Sequence, residues 1–454
     1  MNQTNDVVVS FITDASWDQF PKEVHEVVCL ALLDTLGATL VGTLTPVSRI
    51  TAEFAVETWP GDEATILLRG RTASPTGAAF ANAYAANGID IDDCGLYTKG
   101  HPGVQIVPTA LALAEARGCG GTEALTAMVI GYEIAHRAAR IWHATRDVYQ
   151  ACGSWGSVAC AAVAARLMGL NHGQTRHALG IADYHAPNLP MMRDIDQPAM
   201  VKHGVGWGAM NGILSAQLAD RGFTGVPSLF EFDEYRDWVT DLGDNYIMAD
   251  GLAWKRYACC AWDHATILGL HQLLAEHDFR AEDVARVRVE TFHEAMRLGT
   301  HLPTTTEQAQ FNLAWPLAAY LLDGEVGPDQ MLEHAFERED IRDLVARTEV
   351  VETEEFNRLY RLACQGDPRG KYASKVIVHL RDGSRLETGP VEGEINFPQR
   401  TWDAGSLEEK FRWLTGHVLD NDHVDRLVEM VWEFGAMSDV RQLTASLAAE
   451  PSPR

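Results

Sequence analysis

The chain is short of positive charge. Its 37 lysines and arginines face 63 aspartates and glutamates, a formal net charge of −26 over 454 residues. Such a surface repels phosphate backbones, which argues against nucleic acid as a partner. Long apolar runs are missing too: each carries glycine, alanine, threonine or a charge before it reaches the ~18 uninterrupted residues of a membrane span. The first 18 residues hold three acids and no basic residue, which matches neither a secretory signal nor a transit peptide. Eight cysteines without regular spacing predict free thiols in a reducing compartment. Cys259 and Cys260 are adjacent and lack a second pair that would complete a zinc site. No glycine-rich phosphate loop follows a strand; Gly118, Gly120 and Gly121 follow a helix and read as a C-cap and turn. A cytoplasmic protein with no metal and no membrane partner is expected.

What is present is a globular composition, 46% hydrophobic and 22% charged, with chain enough for one very large domain or two ordinary ones. Apolar residues recur at helical spacing through the first two-thirds. Pro21 opens a helix carrying Val24, Val27, Val28, Ala31 and Leu32. A turn-rich stretch, 58–71, contains a β-like run at 64–68. An alanine-rich helix at 76–86 precedes another at 104–117, and Thr122 is expected to cap a third running to about 141. Residues 156–170 are almost all small, which predicts a helix at the centre of a bundle, since small side chains let neighbours approach. Further helices are expected at 171–180 and 207–222. After 279 the period becomes two: Val287, Val289 and Thr291 alternate with Arg286, Arg288 and Glu290. Val376, Val378 and Leu380 lead into Asp382-Gly383 and Leu386, a hairpin signal, with helical runs at 308–322 and 328–346 between. The fold class is mainly α. An all-helical domain is expected from residues 1–274 and 401–454, with a smaller α+β domain, 275–400, inserted.

The titratable residues gather around one stretch, 87–103. Asp90, Asp92, Asp93, Lys99 and His101 sit there among four glycines and a proline, between two apolar helices. A glycine-broken connection of this kind is where catalytic groups are commonly held. The plainer alternative is that the aspartates cap the next helix and His101 bonds a backbone carbonyl. Three other stretches supply polar groups: Tyr149-Gln150; the run from Tyr184-His185 through Arg193-Asp194 to Lys202-His203-Gly204; and Lys255-Arg256-Tyr257 with Cys259-Cys260 and His264. His203 and His264 have no carboxylate or histidine at helical spacing, so neither reads as a metal ligand. Lysines and arginines near glycines are usually solvated helix ends. In a protein this acidic, however, a site for an anion must concentrate its cations locally. Arginine and lysine holding a carboxylate would acidify the neighbouring C–H. A lysine flanked by cations can then act as base and a histidine opposite as acid.

Taken together, Asp90-Ile91-Asp92-Asp93 with His101-Pro102, the small-residue helix, Lys202 with Arg221-Gly222-Phe223-Thr224-Gly225, and Lys255-Arg256-Tyr257 with Cys260 resemble the MmgE/PrpD family. This family holds 2-methylcitrate dehydratase, cis-aconitate decarboxylase and iminodisuccinate epimerase. The resemblance spans nearly the whole chain. It implies a large all-α domain built from both ends of the chain, an α+β lid between them, a homodimer and no required cofactor. It places the family's loop aspartate on Asp90 with Asp93 beside it, the catalytic histidine on His101, the site lysine on Lys202 and the cationic anchor on Lys255 and Arg256. The pattern also departs from the family. A common histidine ahead of the small-residue helix is Gln150 here, with Tyr149 beside it. The histidine of Lys-Pro-x-His is Val205, a loop threonine is Cys94, and a histidine found in some members is Cys260.

The resulting expectation is a cofactor-free lyase that removes a proton alpha to a carboxylate of a small di- or tricarboxylate, with dehydration of the 2-methylcitrate type foremost. Epimerisation, decarboxylation, or carboxylate binding without catalysis are the alternatives. Lys202 is the expected base, His101 the acid, Asp90 the orienting group and Tyr149 an assistant. Arg193, Lys255 and Arg256 are expected to hold carboxylates, with Asp93, Gln150, Tyr257 and Cys260 lining the site.

Overall fold

The computed structural model describes residues 3–364, 367, 369–393 and 402–450. Helices dominate. The ones that matter below are α1 (Lys22–Gly42), α2 (Pro75–Ala86), α3 (Gly103–Arg117), α4 (Gly121–Thr145), α5 (Cys152–Met168), α6 (His172–Tyr184), α7 (Val205–Asp220), α8 (His264–Glu276), α9 (Ala314–Asp323) and α10 (Ala404–Thr415). Local signals explain most of their ends. Ser74 caps α2 through the Gly77 amide, with Pro75 in the first turn. Asn171 and Gln174 form a capping box on α6, while Gly118 and Gly169 end α3 and α5 in the left-handed conformation. Thr122 does not cap α4: the helix begins at Gly121, and the Thr122 hydroxyl donates to the Gly435 carbonyl instead.

The small-residue helix is central, as its composition predicts, but it starts earlier, at Cys152. It is buried almost throughout and packs closely on α7. A Cβ at Gly212 would lie 2.4 Å from the Cβ of Cys160, so no larger residue fits that crossing. Helix α1 is long and apolar enough by composition to cross a membrane, yet 78% of its most apolar stretch is buried inside the protein. It is a core helix, packed on α2, α3 and α10.

The largest sheet lies in the second half. Strand β1 (Val284–Thr291) is central, parallel to β2 (Thr348–Glu352) on one side and antiparallel to β3 (Ala373–Leu380) on the other. The hairpin read around Asp382-Gly383 forms, pairing β3 with β4 (Arg385–Glu387) through Val378 and Leu386. Strand β2 is short and carries no clean alternation, and nothing in its sequence distinguishes it from the helical run before it. The expected helix at 308–322 is broken into Thr306–Gln310 and α9, because the Asn312 side chain accepts from the Ala314 and Trp315 amides and starts a new helix. That break leaves Gln310 and Phe311 on an inward-facing corner.

Among the described residues, three apolar clusters make the interior. The largest joins the helices up to α7 with the C-terminal helices. A second packs α8, α9 and the sheet together with Ile89 and Ile91, and it already includes Tyr257 and Ala258, which lie N-terminal to the expected boundary at 274/275. The expected boundary at 400/401 lies outside the described residues. A third contains Ala151, Met191, Ile195, Cys260, Phe292 and Phe311. Stretch 87–103 runs along the seam of these clusters, with Ile89 and Ile91 in one and Val104 in another.

Candidate active site

The loop is clamped before any side chain is displayed. Lys255 Nζ donates to the Asp90 carbonyl at 2.7 Å, and Lys410 of α10 donates to the Ile91 carbonyl at 2.7 Å. Asp93 serves the helix. Its Oδ1 accepts from the Gly103 amide at the start of α3 and its Oδ2 accepts from Tyr132 Oη, at 3.0 and 2.7 Å. Burial, with Asp34 and Asp92 close by, pushes the Asp93 carboxyl up to about 7. The plainer alternative therefore holds for Asp93, and for His101 in that its Nδ1 meets the Asp93 carbonyl, but not for Asp90 and Asp92.

Asp90 and Asp92 face inward. His101 Nδ1 lies 2.7 Å from Asp92 Oδ2 and 3.0 Å from the Asp93 carbonyl oxygen, while Nε2 lies 3.4 Å from Asp90 Oδ1. Asp90 Oδ1 also takes Lys255 Nζ at 2.8 Å. Burial alone would discharge all of these groups. Among the charges, Lys255 and then His101 outweigh burial at Asp90 and hold its carboxyl well below the usual range. At His101, burial disfavours the imidazolium, but Asp92 and Asp90 outweigh it and raise the group above its ordinary value.

A second element meets this one. Lys202 and His203 sit in a short turn ahead of α7, both fully buried. Lys202 Nζ donates to Gln310 Oε1 at 2.6 Å and lies 5.6 Å from the centre of the Phe311 ring. Gln310 is held in turn by the Gly88 carbonyl and Thr306. The His203 ring stacks parallel on His101, with centroids 5.3 Å apart and planes 4° apart, and its Nδ1 lies 2.9 Å from Asp194 Oδ2. Among the described residues, five other than glycine have left-handed φ: Leu68, Asp90, Lys99, Lys202 and His203. Three of these carry the cluster. Left-handed backbone costs roughly 1–2 kcal/mol per residue without a compensating gain, and such strain collects at functional sites.

The small-residue helix permits the strained turn. A Cβ on Gly153 would fall 2.1 Å from the Gly204 carbonyl oxygen. Gly153→Ala should therefore displace the turn, costing about 1–3 kcal/mol of stability in a denaturant melt and lowering turnover with it.

A family model of the MmgE/PrpD N-terminal domain matches residues 7–236, and one of the C-terminal domain matches residues 257–434. The chain belongs to the MmgE/PrpD family. It is 24% identical to the cis-aconitate decarboxylase-like protein oryM of Aspergillus oryzae, over 97% of this chain and 96% of that protein. It is 26% identical to human cis-aconitate decarboxylase, over 93% of this chain and 89% of the relative. The cis-aconitate decarboxylase of Aspergillus terreus is 22% identical, over 96% and 94%. The membership establishes an enzyme family rich in carboxylate chemistry, and the mainly helical fold with its small sheets agrees with it.

Within this MmgE/PrpD protein, Asp90 and His101 of one loop come together with Lys202 and Lys255 from two other stretches of the chain. Lys255, expected to hold a carboxylate, has its amine engaged within the protein: it meets Asp90 Oδ1, the Asp90 carbonyl and the Cys259 carbonyl. Cys260 forms an apolar wall beside Phe311, its amide donating to the Gln310 carbonyl, and burial pushes its thiol up to about 12. Two expected cations lie at the surface. Arg193 is exposed on its short helix. Arg256 is exposed over the Trp402 ring and, with Tyr257 and His271, lines a separate cavity of about 400 Å³. Tyr149 Oη is spent on the Lys99 carbonyl, and Gln150 accepts from the Leu189 amide, tying two loops together. Asp92, Asp194, His203 and Gln310 were not among the expected site residues. Asp90, His101 and His203 each bring a ligand atom within 4.8 Å of the others, which is metal-like spacing. In that arrangement Lys255 is already the cation on Asp90 Oδ1.

Proposed function

We propose that this protein is a cofactor-independent lyase that decarboxylates a small polycarboxylate of the cis-aconitate type. The observation that carries the reading is the pairing, at one buried seam, of a lysine amine with an imidazole set between two carboxylates. Decarboxylation needs cations and an acid but no base. The bond to the departing carboxylate breaks and its electron pair stays on carbon. That charge spreads into a neighbouring carboxylate held by Lys202. His101 gives a proton to form the new C–H bond, carbon dioxide leaves, and solvent restores the proton. Dehydration of the 2-methylcitrate type would require a base as well, so Lys202 would have to be neutral. The named relatives support the same order of preference. Because every group is buried, the segments over the seam must open to admit substrate and close to exclude water.

The test is proton magnetic resonance in heavy water with cis-aconitate, 2-methylcitrate and citrate. Loss of carbon dioxide with one deuterium built into the product supports the reading. A folded protein that leaves all three unchanged sinks it. The raised His101 also sets a pH dependence. A group raised in the folded state stays charged below its ordinary value of about 6.5 and loses its proton only above that. Turnover should be flat on the acid side and fall about tenfold per pH unit beyond a midpoint above 6.5. Asp92→Asn removes the main raising charge and should move that midpoint down, read from a pH–rate profile.

A further inference from the structure

We infer that His203 is a second acid of this site, contacting the substrate through its Nε2. The inference deepens the decarboxylase reading and rests on it. His101 and His203 are built alike: each has Nδ1 against its own carboxylate, Asp92 at 2.7 Å and Asp194 at 2.9 Å. A carboxylate at Nδ1 holds the N–H there, so a second proton taken up by the ring sits on Nε2, and that is the one that can be given away. The two differ at that other nitrogen. Nε2 of His101 already faces Asp90 Oδ1 at 3.4 Å, whereas among the described residues Nε2 of His203 has no hydrogen-bond partner.

The backbone points the same way. His203 lies at φ 57° beside Lys202 at φ 41° and Gly204 at φ 66°, three successive left-handed residues. Asp194 Oδ2 accepts from the His203 amide at 2.9 Å and lies 2.9 Å from the ring's Nδ1, so one carboxylate meets both the strained turn and the imidazole. A ring needed only to fill space beside Phe311 and His101 requires neither the strain nor the buried carboxylate. Lys202, on the preceding residue, places a cation next to this donor. A polycarboxylate gripped by Lys202 then meets two parallel proton donors about one ring-stack apart, one for each of two positions on the same small acid.

His203→Gln keeps a side-chain amide that Asp194 can accept from but cannot deliver a proton, and His203→Phe keeps an aromatic ring against Phe311. His203→Gln should melt near the wild type and His203→Phe somewhat below it, because Asp194 loses its ring partner, and each should lose about 100-fold or more in kcat with a smaller change in KM. Added imidazole should restore part of the activity of His203→Ala. A His203→Gln enzyme within threefold of wild-type kcat overturns the inference while leaving the decarboxylase reading intact. Calorimetric binding of tricarballylate, which has no double bond to react, separates the two in the other direction. If the wild type binds it but leaves cis-aconitate, 2-methylcitrate and citrate unchanged, and His203→Gln binds it at least tenfold more weakly, the contact stands and the decarboxylase reading falls. A wild type that neither binds nor converts any tricarboxylate overturns both.

Discussion

Lys202→Met should fold, melt near the wild type and lose about 10²–10³ in turnover. The turnover loss follows from removing the buried cation that takes the developing carboxylate charge, an effect of that order for a single preorganised charge or donor. Stability changes little for a separate reason. Methionine fills a similar volume, so no cavity opens beside Phe311. What is lost is one hydrogen bond to Gln310 Oε1, and Gln310 remains anchored through its own amide to the Gly88 carbonyl and Thr306. A partner left unpaired in this way costs about 1–3 kcal/mol. Paired thermal melts and turnover assays check the split; near-normal turnover would remove Lys202 from the site.

Lys255→Met should behave in the opposite manner, as a folding defect. This ammonium is fully buried and its three donors are all used within the protein. Deleting it leaves Asp90 buried with His101 as its remaining close cation, at 3.4 Å. Breaking a buried pair on one side costs about 3–5 kcal/mol, because the other charge stays desolvated. Without Lys255 the Asp90 carboxyl should rise from its depressed value, so the lost stability is the part present near neutral pH. Denaturant unfolding at pH 7 and at pH 4 measures this. A change below about 1 kcal/mol at pH 7 would show that Lys255 does not hold the loop.

Much of the site was visible in residue types and almost none of it in spacing. The cluster at 87–103 announced itself because three carboxylates and a histidine among glycines serve poorly as either helix or strand. Lys202 drew notice as a cation in an acidic chain. The same argument picked Arg193 and Arg256, which lie exposed. Scarcity of positive charge says that a cation matters somewhere, not which way it points. His203 is hard to read from sequence because its carboxylate, Asp194, stands nine residues upstream, outside any helical or strand period. The available signal was the Lys-His-Gly run before a helix of small residues, where a glycine suggests left-handed backbone. Gln310 had no signal, since it gained its place when Asn312 interrupted the expected helix.

Periodicity and composition alone settled the helical class, the central small-residue helix and the β1 strand and β3–β4 hairpin, because burial repeats every 3.6 or every two residues and leaves that rhythm in the chain. Residue types also marked 87–103 as the stretch where titratable groups gather. Tertiary structure alone decided which cation is spent internally and which is available. Lys202 and Lys255 are equally buried lysines, and only the carbonyls and carboxylates packed around each amine distinguish a lysine whose donors are all taken from one able to turn toward a ligand. Those partners come from positions up to 165 residues away, and no local rule of sequence records them.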